Sequence, residues 1–341
     1  VNPPLPPAPA PPRDLLGRPL HDLRISVIET CNYRCPYCMP EGLTPDETPL
    51  DRASRLDFDE IETAVRAFAR LGVSKLRLTG GEPLLRKRLP DLVARLAAVP
   101  GIEDLALTTN GSLLAGQARA LREAGLHRIT VSLDALDPAT FRTLSGGRGD
   151  IADVLAGIDA AQAAGFRSVK INCVVQRGLN EDQALAIAGR FRGTAHVPRF
   201  IEYMDVGNCN GWRREGVLPS AELRDRIHAR WPLRALTPSY RGEVATRHAY
   251  EDGAGEVGFV SSVSDPFCGD CHRARLSADG QLFTCLFASR GQPLREQIAR
   301  GEDALAAHLA GLWRLRADRY SEQRASAPPD RKKIEMFYIG G

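Results

Sequence analysis

"LRISVIETCNYRCPYCMP", residues 23–40, is an apolar, β-rich run that leads into three cysteines within eight residues, Cys31, Cys35 and Cys38. The run has the length and branched side chains of a buried strand. The same kind of run recurs at "KLRLTG" (75–80), "LALTTN" (105–110), "ITVSLD" (129–134), "VKINCVV" (169–175) and "RFIEYM" (199–204). Helical patterns near 58–71, 88–98, 114–124, 150–164 and 181–192 separate these runs. Six strands with five intervening helices predict an α/β fold, a parallel sheet of right-handed βαβ units. Polar residues gather at or just beyond the C-terminal ends of the strands: the cysteine triad, "TGGEP" (79–83), "TTNG" (108–111), "SLD" (132–134), Asn172 beside Lys170, and Glu202 to Asp205. Six contributing strand ends predict a curved, barrel-like sheet, because an open sheet collects its ligand contacts mainly at one switch point.

Three divisions follow. Residues 1–14 are expected to be a disordered, Pro-rich leader, since "VNPPLPPAPAPP" supports no regular hydrogen bonding and has neither the charge nor the apolar run of a signal peptide. Residues 15–210 hold the βα repeats. Residues 211–341 break that rhythm with a helix near 220–229, short strands near 242–249, 256–261, 273–277 and 281–285, and helices near 291–299 and 302–317, which predicts a smaller α+β region.

Hydrophobic residues make up 43% of the 341, and no apolar stretch approaches membrane-spanning length. A cytoplasmic protein is expected. The net charge of +3 says little about partners, but only five of the 45 basic residues are Lys, so a single Arg is weak evidence here and a strand Lys is stronger. Lys75 and Lys170 are such residues. Eight cysteines in a chain this large point to metal or redox use rather than a disulfide scaffold. Six fall into two groups, Cys31/Cys35/Cys38 and Cys268/Cys271/Cys285; Cys173 and Cys209 read as unliganded thiols.

Four readings suit the first group: zinc completed by a distant residue, a fully ligated iron–sulfur cluster, a cluster with one open position, or thiols without metal. Zinc more often takes Cys-x2-Cys in repeated pairs, and packing gives little reason for close cysteines in a βα loop. A four-iron cubane on three thiolates leaves one iron free for a small ligand, with Tyr37 against it. "GGEP" adds unobstructed backbone and the carboxylate of Glu82, suited to an ammonium group. The second group is also one ligand short. His272 could complete it as a zinc site, although a neighbour of Cys271 in an extending strand points to the opposite side.

Cys-x3-Cys-x2-Cys after the first strand and Gly-Gly-Glu-Pro after the second resemble the radical S-adenosylmethionine (SAM) enzymes. The resemblance implies a partial (β/α)6 TIM-like barrel, SAM chelating the open iron of a [4Fe–4S] cluster, and SAM contacts at Tyr37, Gly81, Ser132 and Met204 with Glu82 and Asn110 nearby. The second triad with "HRAR", together with "GRP-x-x-DLR-x-S", "YCMP", "RFIEYMDVGN" (199–208) and the terminal "IGG", resembles the GTP 3′,8-cyclase family, from about Arg18 to Gly341. That family performs the first step of molybdenum cofactor (molybdopterin) biosynthesis.

The family likeness implies a second [4Fe–4S] cluster on Cys268, Cys271 and Cys285, with GTP at its open iron. It implies GTP contacts at Arg24, Arg77, Thr108, Lys170, Arg273 and Arg275, with Ala274 between the last two and Lys75 as a further contact. Arg24, Arg273, Arg275 and the tail glycines Gly340 and Gly341 are the implied catalytic residues. In the implied reaction an adenosyl radical removes hydrogen from C3′ of the GTP ribose, the carbon radical attacks C8 of guanine, and one electron and a proton give (8S)-3′,8-cyclo-7,8-dihydroguanosine 5′-triphosphate. Implied partners are an external electron donor, a second copy of the chain in a homodimer and, by pathway, cyclic pyranopterin monophosphate synthase; no nucleic acid or membrane is expected. The alternatives are a radical SAM enzyme whose auxiliary cluster serves a peptide or another small molecule and, from a different class, a zinc-stabilised binding module.

Overall fold

A computed structural model describes residues 11–40, 42, 50, 52–326 and 331–340. Residues 1–10 of the leader and the terminal Gly341 lie outside the described residues. The alternation expected from sequence is present. Strands β1 (Asp22–Ser26), β2 (Lys75–Thr79), β3 (Asp104–Thr109), β4 (Arg128–Ser132), β5 (Val169–Val175) and β6 (Val197–Glu202) are joined by helices. These are α1 (Phe58–Arg70), α2 (Leu89–Ala97), α3 (Ala118–Glu123), α4 (Pro138–Leu144), α5 (Ile151–Ala163) and α6 (Glu181–Phe191). Asp57 and Glu60 form a reciprocal capping box that starts α1, and Ile61, Val65 and Phe68 bury its inner stripe; such a cap contributes about 1 kcal/mol. Helix α4, which begins on the Asp137-Pro138 cap, has no counterpart in the sequence-based expectation.

The strands are amphipathic in an unusual sense for a parallel sheet. One face is apolar: Leu23, Ile25, Leu76, Leu78, Leu105, Leu107, Ile129, Val131, Val169 and Ile171 are all buried in the main core. A parallel sheet covered on both faces by helices is apolar on both. Here the alternate positions are charged or polar, Arg24, Lys75, Arg77, Thr108, Thr130 and Lys170 among them, and they face an internal cavity.

The strands of the smaller α+β region extend the same sheet. After α7 (Ser220–Arg230) come β7 (Leu233–Ala235), β8 (Thr246–Tyr250), β9 (Glu256–Val260), β10 (Arg273–Leu276), β11 (Gln281–Phe283) and β12 (Gln292–Pro293). The strand order is β12-β11-β10-β1-β2-β3-β4-β5-β6-β9-β8-β7. Strand β10 pairs in parallel with β1, and β9 in parallel with β6. Eight neighbouring strands therefore run in parallel, and residues of all eight line the one cavity. The sheet wraps that space without closing into a barrel: among the described residues its end strands, β7 and β12, pair only with β8 and β11.

Other differences are local. The stretch expected as a helix near 291–299 divides into β12, which pairs with β11, and α8 (Arg295–Ala299), before α9 (Glu302–Arg314). Short helices α10 (Tyr320–Gln323) and α11 (Met336–Ile339) follow. Order begins inside the expected leader: the carboxylate of Asp14 is buried between Arg18 and Arg316. No helix among the described residues is long and apolar enough to cross a membrane.

Candidate active site

The cavity measures about 610 Å³ and is lined by cysteines of both triads. Its wall is cationic because the inward positions of neighbouring strands coincide in register. Arg24 stands level with Arg275 on one side and Arg77 on the other, and Asp22 is level with Arg273 and Lys75. Lys170 and Arg199 continue the series on β5 and β6, with Arg128 on β4. Arg77 is oriented by Thr108 and Thr130, donating from Nη1 to their hydroxyls at 2.8 and 3.1 Å. Arg128 is paired with Asp104. Lys75 donates to the Tyr240 hydroxyl at 2.8 Å and lies 3.9 Å from Asp104.

By contrast, Arg24, Lys170, Arg199 and Arg275 have no carboxylate partner within ion-pair distance among the described residues, and the Nε atoms of Arg199 and Arg275 are buried without a hydrogen bond. Burial pushes the Lys170 ammonium down to about 6, and repulsion from Arg199, Arg128, Arg77 and Lys75 adds to it. Burial and then Arg275, Arg77 and Arg273 hold Arg24 well below the usual guanidinium range. Uncompensated buried cations are costly. Their convergence is the signature of a polyanion site.

The first triad sits in the loop after β1. Cys38 and Met39 both donate backbone N–H to the Cys35 carbonyl, at 3.0 and 2.9 Å, which winds the loop into a turn. The Tyr33 N–H points at Cys31 Sγ from 3.4 Å and the Asn110 amide from 3.9 Å. "GGEP" seats this loop: a Cβ on Gly80 would strike the Ile28 carbonyl and one on Gly81 the Thr30 carbonyl, so glycine is required at both. Glu82 is 1% exposed. It accepts from Leu84 N, Thr109 Oγ1 and Asn110 N at 3.0, 2.7 and 2.8 Å, and burial raises its carboxyl to about 7. Glu82 thus ties the β2 loop to the end of β3. Tyr37 donates to Asp134 at 2.7 Å, and Asp134 is itself held by the Val174 N–H.

The second triad lies at the other end of the parallel strands, since Cys268 and Cys271 precede β10 and Cys285 follows the antiparallel β11. Here N–H donors again aim at sulfur. Arg273 and Arg316 each approach Cys271 Sγ to 3.3 Å, and the Phe287 N–H approaches Cys285 Sγ to 3.5 Å. Burial alone would raise the Cys271 thiol, but the two guanidiniums bring it down to about 6. None of the six cysteines is in a disulfide.

Neither triad gathers its three thiols at the spacing of a single zinc ion. With Zn–S bonds of about 2.3 Å a single zinc needs its donors close together. Among the described residues the one set of three candidate donors all within 4.8 Å of each other is His21, Asp22 and His272, with no cysteine in it. His272 lies there, its ring 5.1 Å from that of His21 and Nδ1 3.6 Å from Asp22, with neither ring nitrogen hydrogen-bonded. It shares no close three-donor set with the cysteines of the second triad.

The C-terminal tail closes one side. Lys333 binds Asp205 at 2.6 Å, and Asn208 N–H donates to Glu335 at 2.8 Å. Tyr338 donates to Asp279, Met336 reaches the cavity, and buried Gly340, with φ of +72°, packs on Thr79, whose side chain a Cβ there would strike.

Known proteins agree with this geometry. The Radical SAM superfamily model matches residues 25–190, and the Molybdenum Cofactor Synthesis C model residues 197–322. The GTP 3′,8-cyclase of Xanthomonas campestris pv. campestris (strain 8004) is 68% identical over 97% of this chain and 98% of its own. The chain belongs to the GTP 3′,8-cyclase family. The family's enzyme from Acidothermus cellulolyticus is 52% identical over 96% of this chain and 99% of its own. In fold, the crystal structure of Streptococcus suis SuiB bound to precursor peptide SuiA is similar, with a TM-score of 0.63 at 15% identity, covering 92% of this chain and 68% of that one.

As a radical SAM enzyme of this family, the chain uses SAM and a [4Fe–4S] cluster; the loop after β1 presents three thiols, with N–H donors aimed at Cys31. Tyr37, Gly81, Glu82, Asn110, Ser132 and Met204 all line the cavity, as do Arg24, Lys75, Arg77, Thr108, Lys170, Arg273 and Arg275. Met204 lies beyond the end of β6 rather than in it. Ala274 is an exception. The period-two alternation that turns Arg273 and Arg275 inward turns its methyl into the apolar core, so only its backbone is available.

Arg128, Arg199, Asp22, Asp104 and Tyr240 also line the cavity and were not singled out from sequence. In a chain with 40 Arg, a lone Arg carries little signal. The recoverable one was the recurrence of a basic residue near the start of strand after strand, on the same face.

Proposed function

We propose that the chain converts GTP to (8S)-3′,8-cyclo-7,8-dihydroguanosine 5′-triphosphate in the cytoplasm, the first step of molybdenum cofactor biosynthesis. One observation carries this reading: unpaired cations from adjacent strands line a cavity whose two ends each present three thiols. Cys31, Cys35 and Cys38 would hold a [4Fe–4S] cluster, which when bound would supply one electron for the reductive cleavage of SAM, and the resulting adenosyl radical would take hydrogen from C3′ of the ribose. A second cluster would be held by Cys268, Cys271 and Cys285, the end at which guanine is placed in this reading.

The chain's own residues bind, orient and exclude water. Lys75, Arg77 and Lys170, joined by Arg199 and Arg128, neutralise the triphosphate. Arg24 stands level with Arg275, which follows Arg273 by two residues on the same strand, and the three hold the nucleotide along β1 and β10. Tyr37, Gly81, Ser132 and Met204 contact SAM, while Glu82 and Asn110 fix the loops around it. Gly340 brings the tail against Thr79, where a larger residue could not approach, and Gly341 acts beside it in this reading. Fixing two substrates in one enclosed space is the larger part of such catalysis. An external donor supplies electrons, a homodimer is the working form, and cyclic pyranopterin monophosphate synthase takes the product onward.

The test is anaerobic. The chain is reconstituted with iron and sulfide and given SAM, a reductant and GTP deuterated at C3′. Deuterium in 5′-deoxyadenosine together with a cyclised nucleotide is the expected result; neither product from an iron- and sulfide-replete chain overturns the assignment.

A further inference from the structure

The motif "GRP" (17–19) ahead of β1 has no part in the chemistry above, yet Arg18 is 2% exposed. Its Nε pairs with Asp14 at 2.6 Å, and its Nη1 donates to the carbonyls of Cys268 and Asp318 at 2.7 and 2.8 Å. The same Asp14 carboxylate receives Arg316 at 3.1 Å. The Arg316 side chain is 1% exposed and spreads over both segments that carry the second triad. Nη1 donates to the Cys271 carbonyl at 2.7 Å, Nη2 to Cys271 Sγ at 3.3 Å and Nε to the Thr284 carbonyl, next to Cys285, at 3.1 Å. Asp318 pairs with Nε at 3.2 Å and accepts from the Thr284 hydroxyl at 2.6 Å, while the guanidinium lies 4.5 Å from the centre of the Trp313 ring.

Two buried guanidiniums bridged by one carboxylate thus donate to the backbone at Cys268, at Cys271 and beside Cys285. A buried pair of this kind is a weak source of stability but a strong source of geometry, because its fork-shaped donors tolerate few arrangements. Hydrogen bonds to the ligating sulfurs are, in addition, one of the main determinants of an iron–sulfur cluster's potential, and positive charge beside a thiolate favours the reduced cluster.

We propose that Arg316, locked by Asp14 and Arg18, is a positioning residue that holds the second cysteine triad at cluster spacing and raises its cluster's reduction potential through Cys271. The proposal rests on the reading that this triad binds a cluster. Arg273, the other donor to Cys271, faces the cavity and is available to the nucleotide; Arg316 is not among the cavity-lining residues.

The experiment uses the full chain in which Cys31, Cys35 and Cys38 are replaced by Ala, so that only the second cluster reports. Iron and sulfide content and the midpoint potential, from an electron paramagnetic resonance titration, are compared for the parent, Arg316→Gln, Arg316→Lys and Asp14→Asn. The expected result is a shift to more negative potential in Arg316→Gln and a smaller one in Arg316→Lys, with reduced iron retention in Arg316→Gln and in Asp14→Asn, which loses the lock but keeps the guanidinium. A parent that takes up no cluster overturns the second-cluster reading and the proposal with it. A loaded parent matched in iron and potential by Arg316→Gln overturns the clamp alone. Where Arg316→Gln loses its cooperative thermal transition, Arg316→Lys decides: it keeps the charge near Asp14 but cannot serve all the acceptors at once, and a parental potential there overturns the proposal.

Discussion

Lys170 sits on the cavity face of β5 with no carboxylate at ion-pair distance among the described residues, and burial pushes its ammonium down to about 6 from 10.5. Between those two values the unfolded chain holds a proton that the native chain lacks, so the contribution of Lys170 to stability rises with pH and is least favourable below about 6. Lys170→Met removes the penalty. Its melting temperature is expected to exceed that of the unsubstituted chain most at pH 6 and by less at pH 9; a constant gap would show that the residue is not desolvated. A triphosphate restores the proton. Calorimetry in buffers of different ionisation enthalpy is therefore expected to show proton uptake on GTP binding at pH 8, diminished in Lys170→Met. Glu82 makes the opposite point about legibility. Its place after β2 could be read from "GGEP", but its three acceptor bonds come from Leu84, Thr109 and Asn110, the last two of which reach it only through the β2–β3 pairing. The motif offers a carboxylate suited to an ammonium group, and the structure adds that its oxygens also accept from three donors of the surrounding loops. Glu82→Ala, which leaves those buried donors unmatched, is expected to cost about 1–3 kcal/mol in denaturant unfolding.

The tail shows how an element is built from partners far apart in the chain. Asp205, just past β6, accepts from Tyr320 at 2.6 Å, Arg324 at 2.8 Å and Lys333 at 2.6 Å. It was visible as a strand-end carboxylate in "RFIEYMDVGN", but nothing local announced that it faces residues some hundred positions later. Helices α10 and α11 escaped sequence reading for the same reason, each being a single turn whose stability comes from tertiary contact rather than from a periodic face. Asp205→Ala should therefore release the tail while sparing both thiol sets. The expected outcome is near-normal SAM cleavage to 5′-deoxyadenosine with cyclised product reduced about tenfold or more, the scale of losing one charge-assisted hydrogen bond. Removing Gly340 and Gly341 is expected to leave the clusters and fold intact and likewise to lower cyclisation; unchanged turnover would separate the tail from the chemistry.

Across the whole molecule, the βα series and both cysteine sets could be read from sequence because they depend on local periodicity and spacing. The joining of β9 and β10 to opposite ends of the parallel set could not. Short strands pair with whatever edge remains open, and that choice is made in three dimensions. The arrangement places the triads at opposite ends of β1, whose five residues span about 16 Å at 3.3 Å each. Replacing the first triad is expected to abolish 5′-deoxyadenosine formation. Replacing the second should preserve uncoupled SAM cleavage yet weaken GTP binding, measured by equilibrium dialysis. The parallel pairing of β1 with β10 also bears on how the protein is made. Arg18 and Cys268, which touch, are 250 residues apart, so at about 5–20 residues per second the ribosome leaves the outer edge of β1 bare for tens of seconds. Nascent chains halted before β10 would carry an unpaired, apolar-backed edge open to aggregation. Chaperone capture should fall sharply once synthesis passes β11.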